Sequence, residues 1–130
     1  MFKAQGLKAR ESQAQGQAAE DRALHWLQRR GLTLVQRNYR VARGPGARGG
    51  EIDLVMRDGH DTLVFVEVRA RSGRAHGGAA ASVTSSKQRS LIFAAQHFLL
   101  RYAAPPACRF DVVAIDGDEV QWLQAAFDAA

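Results

Sequence analysis

The residues best suited to chemistry lie in one stretch, "GEIDLVMRDGHDTLVFVEVRAR", residues 50 to 71. Two aliphatic runs flank the turn-like "RDGHD", and each carries ionisable residues at its outer end: Glu51 and Asp53 in the first, Glu67 and Arg69 in the second. As strands of an antiparallel hairpin the runs have two competing registers, because directly opposed residues share a face. One puts the charged Glu67 with Leu63 and Phe65 on the face of Ile52, Leu54 and Met56. The other groups those three with Val64, Val66 and Val68 on a face without charge. Burying an unpaired carboxylate costs several kcal/mol, so the second register is expected. It needs an odd-numbered loop, such as Gly59-His60-Asp61.

That register sets Asp53 opposite Glu67 and Glu51 opposite Arg69. Two carboxylates with Cβ atoms about 4.5–5.5 Å apart repel each other unless a proton or a cation lies between them. Mg²⁺ is a natural occupant, since it takes oxygen ligands, often one or two carboxylates, and keeps waters for substrate phosphate. The alternative is a solvated sheet end with Glu51 and Arg69 as a surface ion pair.

The elements around this hairpin carry two more candidates. "AAEDRALHWLQRR", from Ala18 to Arg30, has helical spacing and stops at Gly31, a C-cap residue. Glu20, Leu24 and Leu27 share one stripe of this helix, so Glu20 either faces the sheet or complements the helix dipole near the N-terminus. A second helix, capped by Ser85 or Ser86, runs through "KQRSLIFAAQHFLLRY" to the break at Pro105-Pro106. Its stripe of Lys87, Leu91, Ala94 and Phe98 turns Lys87 inward from the first turn, where the dipole disfavours a cation. An anionic neighbour is expected there. "LTLVQRNYR" reads as a strand, "RGPGARGG" as a loop, and "CRFDVVAID" with "VQWL" as a closing hairpin around "DGDE". The order α-β-β-β-α-β-β predicts an α/β domain, a mixed sheet with helices packed on it. Residues 1 to 14 lack periodicity and predict a mobile basic tail before a single domain spanning 15 to 130.

With 130 residues, 46% of them hydrophobic, the chain suits one compact domain. Lys and Arg number 18 against 13 Asp and Glu, a formal +5 that suits polyanions such as nucleic acid and, less specifically, acidic membrane surfaces. No apolar run nears the roughly 18–20 residues of a membrane span, and the N-terminus lacks the apolar region of a secretory signal, so no membrane association and a cytoplasmic location are expected. Lysine occurs only at Lys3, Lys8 and Lys87. The single cysteine, Cys108, excludes an intrachain disulfide and reads as a small core residue.

"GEIDLV", "VFVEVRAR", a first helix bearing an acid, a later helix with Lys87, and "RFDVVAI", in that order, resemble the YraN-like family of small bacterial proteins. The likeness covers residues 15 to 128. That family is similar in turn to the PD-(D/E)XK superfamily, which includes restriction endonucleases and Holliday-junction resolvases. The resemblance implies a restriction-endonuclease-like αβββαβ core and nuclease chemistry. It makes Asp53 the motif aspartate, Glu67 the motif acid, Glu20 the first-helix glutamate and Glu51 an accessory acid, with Mg²⁺ or Mn²⁺ as cofactor. Arg69 stands where the motif has lysine. Arginine stays protonated and cannot act as a base, but its guanidinium can grip phosphate. Arg69 with partial function, Lys87 supplying the ammonium, or loss of catalysis with binding retained are the three alternatives.

The basic segments holding Arg40, Arg43, Arg48, Arg71 and Arg74 flank the acids in sequence and would attract a nucleic-acid backbone. His25, His60, His76 and His97 show no metal-ligand spacing. "SVTSSK" offers hydroxyls near a helix start, for capping or for phosphate contact. "GPGARGG" lacks a P-loop lysine. The expected activity is metal-dependent hydrolysis of DNA, branched or structured DNA included. The alternatives are a non-catalytic nucleic-acid-binding module, and an interaction subunit or homodimer using exposed apolar residues near Trp122 and Phe127.

Overall fold

A computed structural model describes residues 2–46, 49–71 and 83–129, and the side chains of these apart from 2–13 and 71. The elements run α1 (Phe2–Arg29), β1 (Thr33–Val41), β2 (Gly50–Arg57), β3 (Leu63–Arg71), α2 (Ser85–Leu99), β4 (Cys108–Asp116) and β5 (Glu119–Phe127). The strands form one sheet in the order β1-β2-β3-β4-β5, antiparallel throughout except for β3 and β4, which are parallel and joined through α2. This is the expected α/β order, consistent with a restriction-endonuclease-like core. Among the described residues no helix is long and apolar enough to cross a membrane.

The sheet is buried on both faces, which is why its central strands read as nearly unbroken apolar runs. Val55, Leu63, Phe65, Phe110 and Val112 pack with Leu91, Ala94, Ala95 and Phe98 of α2. Leu54, Met56, Val64, Val66, Val113 and Ile115 pack with Ala19, Ala23, Leu24 and Leu27 of α1. The result is a three-layer domain.

α1 is longer than its apolar spacing predicts. The helix extends back to Phe2 through the segment expected to be an irregular tail. "FKAQGLKARESQAQGQ" is rich in Ala, Gln, Lys, Glu and Arg, good helix formers that extend a helix without an apolar stripe. The extension decides between the two readings of Glu20: with the helix starting at Phe2, Glu20 lies about five turns in, beyond the reach of the N-terminal dipole. The other end matches expectation. Gly31 adopts φ +96, Gly31 N–H bonds Gln28 O at 3.1 Å and Leu32 N–H bonds Leu27 O at 3.2 Å, a Schellman cap that needs a left-handed residue.

The β2–β3 hairpin adopts the expected register, with Leu54 opposite Val66, Val55 opposite Phe65 and Met56 opposite Val64. Asp58 N–H bonds Thr62 O, the Asp58 carboxylate accepts from the N–H groups of His60 and Thr62, and Asp61 closes the three-residue turn at φ +64. Ile52 departs from expectation. It joins the α2-side cluster with Tyr39, whereas Leu54 packs toward α1. β2 therefore changes face around Asp53. β1 changes face alongside it, between Arg37 and Tyr39, where Asn38 has φ +54.

Thr84, one residue before the expected caps, closes the start of α2: its hydroxyl accepts from Lys87 N–H at 3.2 Å. The helix then crosses β2 at Gly50, where an added Cβ would lie 2.5 Å from Ser90 O and 2.9 Å from Ala94 Cβ. Ser90 Oγ donates to Gly49 O at 3.2 Å and ties the same crossing. Cys108 is exposed, not a core residue, because it opens β4 at the margin of the packed layer. Trp122 and Phe127 are half-buried, with intramolecular ring partners: Trp26 edge-on at 5.7 Å and Phe110 stacked at 4.9 Å.

Candidate functional site

The ladder between β2 and β3 ends at the Leu54–Val66 pair, so the next opposed residues, Asp53 and Glu67, lie where the strands part. One oxygen of Asp53 accepts from the Val68 N–H at 2.8 Å, a side-chain carboxylate taking a backbone donor beyond the end of the ladder. Glu67 is 4% exposed and projects on the α2 side, in line with Leu63 and Phe65. Lys87 Nζ lies 3.8 Å from Glu67 Oε2 and Arg69 Nε 3.7 Å from Glu67 Oε1. These are ion pairs too long for hydrogen bonds. Among the described residues, the two buried side-chain atoms left without a hydrogen-bond partner, Glu67 Oε2 and Arg69 Nε, both belong to this group.

The electrostatics follow from that burial. Burial raises the Asp53 pKa to about 6, with the charges of Glu20 and Glu51 pushing the same way and the Val68 N–H and Lys87 opposing them. Burial likewise raises Glu67 to about 7, aided by the Asp53 charge and opposed by Lys87 and Arg69. Each carboxylate is costly to ionise while the other is charged. A group of this kind takes up a proton or a cation.

The other expected residues are distributed more widely. Glu20 faces the sheet and neighbours Asp53, but it is held by Arg37, whose Nε lies 3.3 Å from Glu20 Oε1 and whose NH1 lies 2.6 Å from Asp21. Glu51 pairs with Arg40 at 3.5 Å across the β1–β2 ladder, in place of the expected pairing with Arg69, because β2 and β3 have already separated. Among the described residues no three His, Cys, Asp or Glu side chains come together as a metal-holding group. The ligand set that fits a divalent cation is Asp53 and Glu67, two hard oxygen donors with one buried oxygen lacking a hydrogen bond. Arg43 stacks on Phe93 at 4.5 Å. Arg71 ends β3, its side chain outside the described set, and Arg48, Arg74 and His76 lie outside the described residues.

One buried carboxylate escaped the sequence reading. Asp111, 1% exposed, receives Arg109 Nε at 3.0 Å, Trp122 Nε1 at 2.9 Å and Ala125 N–H at 2.9 Å, while Arg109 NH1 reaches Asp58 at 3.0 Å. This network ties the β2–β3 turn to β4 and β5. Its oxygens are fully engaged, which separates it from the under-satisfied pair at Asp53 and Glu67. The visible signal was a carboxylate embedded in the apolar run "FDVVAI".

Fold and site together define a three-layer α/β protein with one buried and one half-buried carboxylate at the parting of central strands, attended by a lysine from the crossover helix. The chain belongs to the uncharacterised protein family UPF0102, which it matches over residues 19–115, a span containing Glu20, Asp53, Glu67, Arg69 and Lys87. It is 62% identical over 119 residues to UPF0102 protein Mpe_A3766 of Methylibium petroleiphilum, covering 92% of this chain and 98% of that one. A UPF0102 protein of Acidovorax sp. (strain JS42) is 60% identical over 122 residues, 94% of this chain and 90% of its own. UPF0102 protein HEAR0176 of Herminiimonas arsenicoxydans is 60% identical over 114 residues, 88% and 86% of the two chains.

Proposed function

We propose that this protein is a metal-dependent phosphodiester hydrolase acting on DNA, with branched or structured DNA among its substrates. The observation that carries the reading is the buried Glu67 oxygen without a hydrogen bond, beside a second, half-buried carboxylate, Asp53. Mg²⁺ or Mn²⁺ held by these two residues would supply an acidified water and positive charge to oppose the charge on a phosphate in the transition state. Lys87, rather than Arg69, takes the place of the motif lysine, because its ammonium reaches the second oxygen of Glu67 from the start of α2. Arg69 remains protonated and serves to hold a phosphoryl oxygen through its fork of donors. Glu20 and Glu51 act on Asp53 through their charge.

Calorimetric titration of Mn²⁺ and Mg²⁺ into the protein, alongside Asp53→Asn, Glu67→Gln and Lys87→Ala, tests this reading, followed by incubation with duplex, single-stranded and branched DNA. Metal binding should be lost in the first two variants. Lys87→Ala should keep metal binding and lose cleavage. Absence of metal binding to the wild type, even with DNA present, would sink the proposal. A second reading, a nucleic-acid-binding module without catalysis, is favoured by one observation: Arg69 already engages Glu67, supplying part of the charge a cation would bring. DNA binding by Asp53→Asn equal to wild type, with no cleavage by either, identifies that case.

A further inference from the structure

We propose that the outer side of α2 and the adjoining end of β1 form a phosphate track, on which the backbone of a bound nucleic acid lies as it leaves the Glu67–Lys87 site. The inference rests on the reading that the ligand is nucleic acid, and adds where it lies. Its first support is the distribution of charge. No Asp or Glu occurs between Asp21 and Glu51, or between Glu67 and Asp111, although both segments are rich in arginine. The fold brings the β1 part of the first segment and the α2 part of the second to one side of the sheet, while the α1 part with Arg22 and Arg29 lies on the other: Tyr39 and Val41 of β1 pack on the cluster formed by Leu91, Ala94 and Phe98 of α2. The opposite edge carries Asp116, Asp118 and Glu119 around the β4–β5 turn, where acids stand among the arginines of α1 and Arg22 donates to Gly117 O.

The second support is the way the cations are held. Arg89, Phe93 and His97 recur every fourth residue, one stripe of about 12 Å along α2, with Arg101 just beyond its end. Arg43 lies over Phe93 at 4.5 Å, and Arg101 lies 3.6 Å over Phe98 and 5.5 Å from Tyr39. His97 Nδ1 is 2.5 Å from the Tyr39 hydroxyl, which fixes its ring. A guanidinium stacked on an aromatic ring has its plane fixed, which suits it to phosphate oxygens through its free N–H groups; Arg101 has already given its Nε–H to Phe98 O at 3.1 Å. Contacts of this type carry no base information, so the track positions a backbone without reading sequence.

The test compares Arg43→Glu/Arg89→Glu with Arg22→Glu/Arg29→Glu, two pairs that change net charge equally but lie on opposite sides of the sheet. Glutamine versions of each pair guard against misfolding, which is checked by thermal melting. Binding of labelled duplex DNA, single-stranded DNA, RNA of the same sequence and anionic vesicles is measured by anisotropy or co-sedimentation across a salt series in EDTA. The Arg43/Arg89 pair should lose about tenfold or more in affinity, and the slope of log K against log salt should fall by roughly 0.9 per duplex phosphate contact removed or 0.7 per single-strand contact. The Arg22/Arg29 pair should stay near wild type. The DNA and RNA arms identify which backbone is bound. Equal losses in both pairs, or a loss confined to vesicles, overturns the track. Failure of the wild type to bind any nucleic acid overturns both the track and the choice of substrate. Because EDTA removes the metal, a failed metal titration leaves this result standing.

Discussion

Glu67→Gln should stabilise the metal-free protein at pH 8 and leave it unchanged near pH 4. A carboxyl whose pKa is higher folded than unfolded holds its proton more tightly in the native state. Its contribution is therefore fully present below the unfolded value and lost as pH rises through the folded one. For Glu67 that window runs from 4.5 to about 7. A rise of this size corresponds to about 3 kcal/mol, at about 1.4 kcal/mol for each tenfold change in proton affinity. The opposing pull of Lys87 and Arg69 is already contained in it. Glutamine keeps the shape without the charge, and Asp53 takes up part of the relief because the two carboxylates share one field. A gain of roughly 1–3 kcal/mol at pH 8 follows, about 4–12 °C in melting temperature for a domain of this size. Urea and thermal unfolding at pH 4, 6 and 8 in EDTA would measure it. The wild type should lose stability across this range, the variant should lose less, and saturating Mn²⁺ should restore the wild type alone. Equal destabilisation of Glu67→Gln at every pH would refute the reasoning, since it would mean the carboxylate is a stabilising partner of Lys87 and Arg69.

Two further perturbations test the scaffold. Asp111→Ala strands a half-buried arginine, an indole N–H and a backbone N–H, and should cost about 3–5 kcal/mol in urea unfolding, with Asp111→Asn milder. An Asp111→Ala protein as stable as wild type would show that the network adds nothing. Gly50→Ala pushes a methyl into Ser90 O and Ala94 Cβ and should cost about 1–3 kcal/mol; by lifting α2 it should also weaken metal-dependent activity through Lys87. A wild-type melting curve for this variant would mean that α2 yields there without cost.

Local chemistry explains why much of the fold could be read directly. Apolar alternation, with Leu54, Met56, Val64 and Val66 on one uncharged face, matched the hairpin register, although Glu67 is buried on the other face. Gly31 marked a helix end because a left-handed residue is needed there, and the stripe through Lys87 required an anion that proved to be Glu67. Where helix propensity outran apolar patterning, as in residues 2–14, the pattern underestimated the helix.

What the sequence by itself determined is the set of elements, the register of β2 on β3 and the two carboxylates that meet where those strands part. These follow from backbone preferences and apolar alternation, which act over a few residues. Tertiary structure alone decided that Ile52 and Leu54 serve opposite faces, that Glu51 pairs with Arg40, that Arg37 holds Glu20, and that Asp111 is satisfied while Glu67 is not. Those outcomes depend on where β2 and β3 part and which side chains from distant elements reach the gap. That is a property of packing between layers, with no counterpart in the spacing along one strand.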